Sequence, residues 1–170
     1  MNDSQKMFRH AMAHLSAAVS VVTTMGPGGR CGVTASAVCS VTDAPPTLLV
    51  CLNRTSAMRS IFELNGRLCV NVLGGDDIEL AKHFSGMTAV PMAERFTWPI
   101  WDEGRDGLPV LKQAIVSCQG VITDCKEVGS HSVMFVELSD ISVHDQPEAL
   151  VYFGRQFHRV RCAREADSPA

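Results

Sequence analysis

Seven short runs rich in β-branched and small apolar residues, at 19–24, 32–42, 47–53, 67–73, 114–125, 132–143 and 150–153, follow one another with breaks bearing glycine, proline or aspartate between them. Parallel neighbours need crossovers of about a dozen residues or more, usually helical. Most of these connections are far shorter, and helical spacing occurs in only three places. The chain is therefore expected to be mainly β with peripheral helices, an antiparallel barrel rather than alternating βαβ units. Gly26-Pro27-Gly28-Gly29 turns the first run into a hairpin with 32–42. Asp43-Ala44-Pro45-Pro46 is a second break, because neither proline can donate to a ladder, and 47–53 then reads as a continuously buried strand. Gly129-Ser130 and Asp145-Gln146-Pro147 mark the last turns.

Met7, Phe8, Ala11, Met12 and Leu15 share one face of an amphipathic N-terminal helix, with Asp3 or Ser4 as its cap. A second helix is expected over 56–65, capped by Ser56 and stopped at Asn65-Gly66. A third spans 78–85, capped by Asp76 or Asp77 and closed by Gly86. Residues 87–106 hold Phe96, Trp98, Pro99 and Trp101 with no clear period, and a loop of that length in a compact domain is functional or covers something. A chain of 170 residues gives one domain, expected over 1–162, followed by a disordered tail at 163–170.

Apolar residues make up 46% and charged residues 19%, which fits a globular protein and excludes a collagen, a coiled coil or a disordered chain. The net charge of −3, with both signs interspersed, offers no basic face for a phosphate backbone, so small molecules rather than nucleic acid are the expected partners. No unbroken apolar run is longer than that from Leu48 to Leu52, so no membrane segment is expected, and the first residues lack the pattern of a signal peptide. Seven cysteines at 31, 39, 51, 69, 118, 125 and 162 contain no C-x-x-C pair, so no zinc or dithiol centre is expected. Cys39, Cys51 and Cys69 lie in strand-like runs and read as buried small hydrophobes, which places the chain in a reducing cytoplasm.

The phosphate-binding loop, the zinc-protease helix and the nucleophile elbow are all missing. Glycines 26, 28 and 29 do not complete a dinucleotide fingerprint, since Cys31 stands at the third position and no helix follows. His10 and His14 lie one turn apart, but with no third ligand near they read as a solvated helix face, and no metal is expected.

Positive candidates are few. Gly32-Val33-Thr34-Ala35-Ser36-Ala37-Val38 offers close backbone approach, hydroxyls on alternate positions and little bulk, so it suits a planar ligand. Taken alone, plain packing of small residues at a barrel corner accounts for it slightly better. Cys51-Leu52-Asn53-Arg54-Thr55-Ser56-Ala57 delivers polar groups to a helix start, where free amides bind phosphate, although Ser56 as a plain cap is the default. Asn71 inside an apolar run needs hydrogen bonds, whether from the chain or from a ligand. His131 follows a turn and stands at a rim, a position usually no more than exposed.

Taken together and in order, these segments resemble the short-chain flavin reductases, the reductase components of two-component flavin-dependent monooxygenases. The resemblance runs from Phe8 to about Val160 and is carried by Phe8-Arg9-His10-Ala11-Met12, the block GVTASAVCSVTDAPPTLLVCLNRTSA at 32–57, Leu68-Cys69-Val70-Asn71-Val72-Leu73, His83-Phe84-Ser85-Gly86, Glu94-Arg95-Phe96 and Leu150-Val151-Tyr152-Phe153. Within the family, the subgroup serving 4-hydroxyphenylacetate 3-monooxygenases is the most similar. The resemblance implies a split β-barrel of the FMN-binding type, assembled as a homodimer, that reduces FMN or FAD with NADH or NADPH and hands it to a separate flavin-dependent oxygenase. It implies flavin contacts at Thr34, Ala35, Ser36, Ala37, Val38, Cys51, Leu52, Asn53 and Ser56, with Phe84 nearby. The family's glycine-acid-histidine turn falls on Gly129-Ser130-His131, with serine in place of the acid, which implies His131 as the residue beside the nicotinamide. Two other readings are a flavoprotein that retains its flavin and reduces another acceptor, such as a corrinoid, and a non-catalytic flavin-binding barrel.

Overall fold

The computed structural model describes residues 2–145 and 148–162. The expected tail at 163–170, and Gln146 and Pro147 of the last turn, lie outside them. In chain order the elements are α1 (Asp3–Met12), β1 (Ala17–Ala18), β2 (Ser20–Thr24), β3 (Cys31–Ala35), β4 (Val38–Asp43), β5 (Pro46–Asn53), α2 (Arg59–Asn65), β6 (Arg67–Val72), α3 (Ile78–Phe84), α4 (Met92–Arg95), β7 (Trp101–Glu103), β8 (Pro109–Leu111), β9 (Val116–Val128), β10 (His131–Val143), β11 (Glu148–Phe153) and β12 (Gln156–Arg161).

Seven strands form one antiparallel sheet in the order β3-β2-β6-β9-β10-β5-β4. Its two edges, β3 and β4, are consecutive in the chain and separated only by Ser36 and Ala37. The chain passes from one edge to the other there with no β3–β4 ladder among the described residues, and the Cys51 N–H, donating to the Ala37 carbonyl at 3.0 Å, extends the β4–β5 pairing to the bend. The result is a barrel left open at one seam. A smaller sheet, β1-β11-β12, and the β7-β8 ribbon complete the β structure.

Two apolar clusters explain the strand patterns. One fills the barrel with Val22, Leu48, Val50, Leu52, Phe62, Leu68, Val70, Met134 and Val136. The other lies outside the wall, where Val19, Val21, Leu73 and Leu150 pack beneath Leu80, Ala81, Phe84, Phe96 and Leu111. Strand β2 is buried on both faces because it separates the two clusters. Burying an apolar side chain of this size stabilises by about 1.5–3 kcal/mol, so both clusters carry the fold. Asn71 sits between them, fully buried: its Nδ2 donates to the Val21 carbonyl at 3.0 Å, and its Oδ1 accepts from the Leu111 N–H at 2.8 Å and the Ser117 hydroxyl at 3.3 Å. Its polar atoms are satisfied by the chain, which ties the 108–111 segment to the wall.

Several expectations are corrected. Residues 32–42 form two strands, not one, because the chain bends at Ser36-Ala37 to pass from one sheet edge to the other. Strand β5 alternates in burial rather than being buried throughout, since only Leu48, Val50 and Leu52 face the barrel interior. The first helix is capped by Asn2 in a capping box with Gln5, not by Asp3 or Ser4. The second helix begins at Arg59, and Ser56 caps the preceding turn by accepting from the Met58 N–H at 3.3 Å. Strand β12 carries Gln156, His158, Arg159 and Arg161, charged and polar residues suited to a sheet edge, and so shows no apolar alternation in the sequence. Cys69 is buried, its thiol pushed up to about 12 by burial, but Cys39 is exposed on the edge strand β4 and Cys51 is half-buried. All seven cysteines are free thiols. No described helix is long and apolar enough to cross a membrane.

Candidate functional site

Residues 34–38 sit where the two sheet edges meet. Thr34, next to the end of β3, donates its hydroxyl to the Ala81 carbonyl of α3 at 2.7 Å, which fixes α3 against the strand. The fixing depends on Gly32: a Cβ there would lie 2.8 Å from the Phe84 ring, so the ring rests directly on the β3 backbone. Phe84 is itself covered by Phe96 and Trp101, with ring centroids 5.4 and 5.7 Å away. The long segment at 87–106 thus acts as a lid on Phe84, and the close approach read from Gly32 is filled by this side chain.

Beyond Phe84, Thr34 and Ser36 open onto a cleft of about 310 Å³ that is also lined by Lys82, Ser85, Tyr152, Arg155 and Phe157. It combines four hydroxyls, two of which (Thr34 and Ser85) donate to the Ala81 and Lys82 carbonyls and keep their oxygens as acceptors, with two aromatic side chains and two cations. Lys82 Nζ lies 2.6 Å from Glu79 Oε1, and this contact lowers the Glu79 carboxyl below its ordinary range. Arg155, held at a φ of 65° in the β11–β12 turn, has no carboxylate within ion-pair distance among the described residues. A surface of this kind fits a planar aromatic ligand with an anionic tail: faces to stack on, hydroxyls for ring-edge polar atoms, and cations for a phosphate.

Of the residues expected from the sequence, Ser36 and Ala37 are exposed at the seam, and Val38 pairs with Val50 in the neighbouring strand. Cys51 joins them through its bond to Ala37. Ala35 and Leu52 turn their side chains into the barrel core, so only their backbones face the site's side of the sheet. Asn53 is exposed at the end of β5, where its Oδ1 accepts from the Thr55 N–H at 3.0 Å and the Thr55 hydroxyl at 2.9 Å. This turns the chain towards Ser56, whose N–H donates to the Asn53 carbonyl at 3.0 Å. His131 stands directly opposite Asn53 in the β5–β10 register. Its Nδ1 lies 2.9 Å from Ser130 Oγ, a contact in which the ring either accepts from the serine hydroxyl, leaving its proton on Nε2, or donates to it.

The structure therefore collects 36–38, 51, 53 and 131 at one end of the sheet, places Thr34 and Ser36 in the cleft, and takes Phe84 into the interior behind it. The sequence reading missed Lys82, Tyr152, Arg155 and Phe157. Ser85 and Tyr152 fall in the segments that carry the family resemblance, whereas Arg155 and Phe157 reach the cleft only through the β11–β12 hairpin. Among the described residues no group of three or more His, Cys, Asp or Glu is placed to hold a metal. His14 Nδ1 instead lies 2.9 Å from the His10 carbonyl.

Comparison with known proteins agrees with this geometry. Residues 12–161 match the flavin reductase like domain. The 4-hydroxyphenylacetate 3-monooxygenase reductase component of Pseudomonas aeruginosa is 59% identical over 162 residues, 95% of each chain. The FMN reductase (NADH) RutF of Stutzerimonas stutzeri is 50% identical over 151 residues, 89% of this chain and 86% of that one. Among solved structures, BorF, the flavin reductase component of a bacterial two-component tryptophan halogenase, superposes with a TM-score of 0.86 at 26% identity, covering 94% of this chain and 99% of that one. The flavin reductase HpaC complexed with NADP+ gives a TM-score of 0.81 at 25% identity, over 92% of this chain and 97% of that one. With a family match over nearly its whole length and curated relatives at half identity or more, this chain belongs to the flavin reductase family.

Proposed function

We infer that this chain is an NAD(P)H:flavin oxidoreductase that reduces FMN or FAD by hydride transfer from the nicotinamide. The observation that carries the reading is the cleft itself: hydroxyls, aromatic faces and cations without an activated nucleophile or an acid–base pair, on a chain that belongs throughout to this family. Hydride transfer is chemistry supplied by the two bound molecules. The protein has to bind, align and exclude, for which small residues and hydroxyls at the seam are suited.

In this reading Thr34 and Ser36, the backbone of 35–38 and the segment Cys51, Leu52, Asn53 and Ser56 hold the flavin. Lys82 and Arg155 take its phosphate, and Phe84 backs the cleft without touching solvent. His131 orients the nicotinamide with its outward Nε2. The test is turnover by the purified protein with NADH or NADPH and excess free FMN or FAD. Catalytic consumption of reduced nicotinamide is expected. Consumption only after a second acceptor such as a corrinoid is added, or a yellow protein without turnover, overturns the reading.

The reduced flavin passes to a separate flavin-dependent oxygenase, in line with relatives named as the reductase component of 4-hydroxyphenylacetate 3-monooxygenase. The chain works as a homodimer. The apolar face of α1 finds no cover among the described residues: Met7, Phe8 and Met12 are 68%, 65% and 44% exposed, on a helix with no buried residue. Monomers rarely leave such a patch open. Light scattering should give twice the chain mass of 18.4 kDa at micromolar concentration, and a mass equal to one chain refutes the dimer. A reducing cytoplasm suits a chain whose seven cysteines are all free.

A further inference from the structure

The segment that starts at Asn53 and the turn that carries His131 are locked together by one side chain between them. Arg54 donates its backbone N–H to the Ser130 carbonyl at 2.9 Å and its Nη1 to the Gly129 carbonyl at 3.2 Å. Both carbonyls of a two-residue hairpin loop are thereby held by the residue just past the end of β5. The rest of the guanidinium is also fixed, with Nη2 3.0 Å from Glu127 Oε2. The second Glu127 oxygen lies 2.8 Å from Arg59 Nη2, and that nitrogen also lies 2.7 Å from Glu63 Oε1. The chain of contacts runs from the first turn of α2, through the end of β9, to the turn at 129–131.

We propose that Arg54 and Glu127, anchored by Arg59, form a clamp that sets the position of His131 relative to the 51–56 segment, and that they are positioning residues for the hydride donor. The clamp rests on the reading of His131 as the nicotinamide contact. Its stabilising value is small, because Arg54 and Glu127 have side chains 43% and 47% exposed and such pairs contribute little to folding. Geometry is what it supplies: a planar guanidinium holds a carbonyl and a carboxylate at once, which a lysine ammonium cannot do in the same arrangement. Two segments assigned to different substrates are joined by it, and hydride transfer is sensitive to their separation.

The charges also separate positioning from attraction. Arg54 and Arg59 are balanced by Glu63 and Glu127, so the cluster is neutral overall. Glu127→Gln leaves one excess positive charge beside the turn. If the cluster served only to attract an anionic dinucleotide, that variant would bind NADH more tightly; a clamp predicts weaker binding and slower transfer.

The experiment is stopped-flow reduction of the flavin-saturated protein by NADH, for Arg54→Lys, Glu127→Gln, His131→Ala and the double variant Glu127→Gln/His131→Ala, with flavin titrations and melting curves alongside. Arg54→Lys and Glu127→Gln should each raise the NADH concentration for half-maximal rate and lower the limiting rate, together about tenfold in efficiency, with flavin affinity and melting temperature unchanged. Glu127→Gln should add nothing in the His131→Ala background, because the clamp acts only through that residue. Independent, multiplying effects overturn the clamp, as do tighter NADH binding by Glu127→Gln and a loss confined to flavin affinity. A slow His131→Ala beside a wild-type Glu127→Gln overturns the clamp alone. Wild-type kinetics in His131→Ala overturn the nicotinamide reading, and the clamp with it.

Discussion

Ser36→Leu is expected to weaken flavin binding about tenfold or more, the equivalent of 1.4 kcal/mol and within the usual cost of overfilling a fitted space, with little change in melting temperature. The asymmetry comes from where Ser36 lies. It occupies the bend between β3 and β4, is exposed, and lines the cleft beside Thr34, Tyr152 and Arg155. No strand ladder passes through it, and it is absent from both apolar clusters, so a leucine there displaces no packed side chain. Its extra volume instead enters the space in which the isoalloxazine or its ribityl chain would lie. Quenching of flavin fluorescence measures the affinity, and differential scanning calorimetry measures the stability. A collapse in melting temperature with normal flavin binding by the folded fraction would make Ser36 a packing residue and move the site elsewhere in the cleft.

The same position shows how far the sequence could be read. Small residues and hydroxyls at 32–38 are visible as a segment with unusually little bulk, but the reason differs along it. Gly32 is small because Phe84 lies on it, which no local pattern can reveal, since the two are brought together by α3 packing across the strand. Ser36 instead lies exposed at the bend between two sheet edges, where it lines the cleft. Antiparallel pairing, the hairpin at 26–29 and the break at 43–46 were legible, because glycine and proline act on the backbone locally. The merging of 32–42 into one strand follows from the same locality: nothing in Ser36-Ala37 forbids extension, and only closure of the barrel demands the bend.

Asn71 is the complementary case. An amide inside an apolar run announces a hydrogen-bond requirement, and the sequence leaves open whether a ligand or the chain meets it. The structure answers with partners far away in sequence, Val21, Leu111 and Ser117. Arg155 and Phe157 were illegible for a related reason, since the hairpin that brings them to the cleft ends in a polar edge strand without periodic signal. Of the residues that line the cleft, the resemblance names only Thr34 and Ser36 as flavin contacts; Lys82 and Ser85 come from α3 and its end, and Tyr152, Arg155 and Phe157 from the β11–β12 hairpin.

His131→Ala is expected to lower the efficiency of flavin reduction by NADH by up to about 100-fold, the scale of a misplacement of roughly 1 Å at a reacting centre, while flavin affinity stays nearly constant. The histidine is exposed, pairs only through its backbone with Asn53 and Val128, and lies in neither apolar cluster, so its side chain contributes little to folding. Ser130 Oγ lies 2.9 Å from Nδ1, and when the serine hydroxyl is the donor the imidazole is left with an Nε2–H for a hydrogen-bond acceptor such as a carboxamide oxygen. That role differs from acid–base catalysis in a measurable way: removing a donor that orients the nicotinamide weakens its binding and slows transfer together. Ser130→Ala separates orientation from mere presence, because it keeps the imidazole and removes the contact at Nδ1, so a smaller loss of the same kind should follow. Stopped-flow reduction across a range of NADH concentrations, beside a flavin titration, reads both variants. Unchanged kinetics in His131→Ala would remove the residue from the site. A loss confined to flavin affinity would reassign it to the flavin side of the sheet end, where Asn53 already stands.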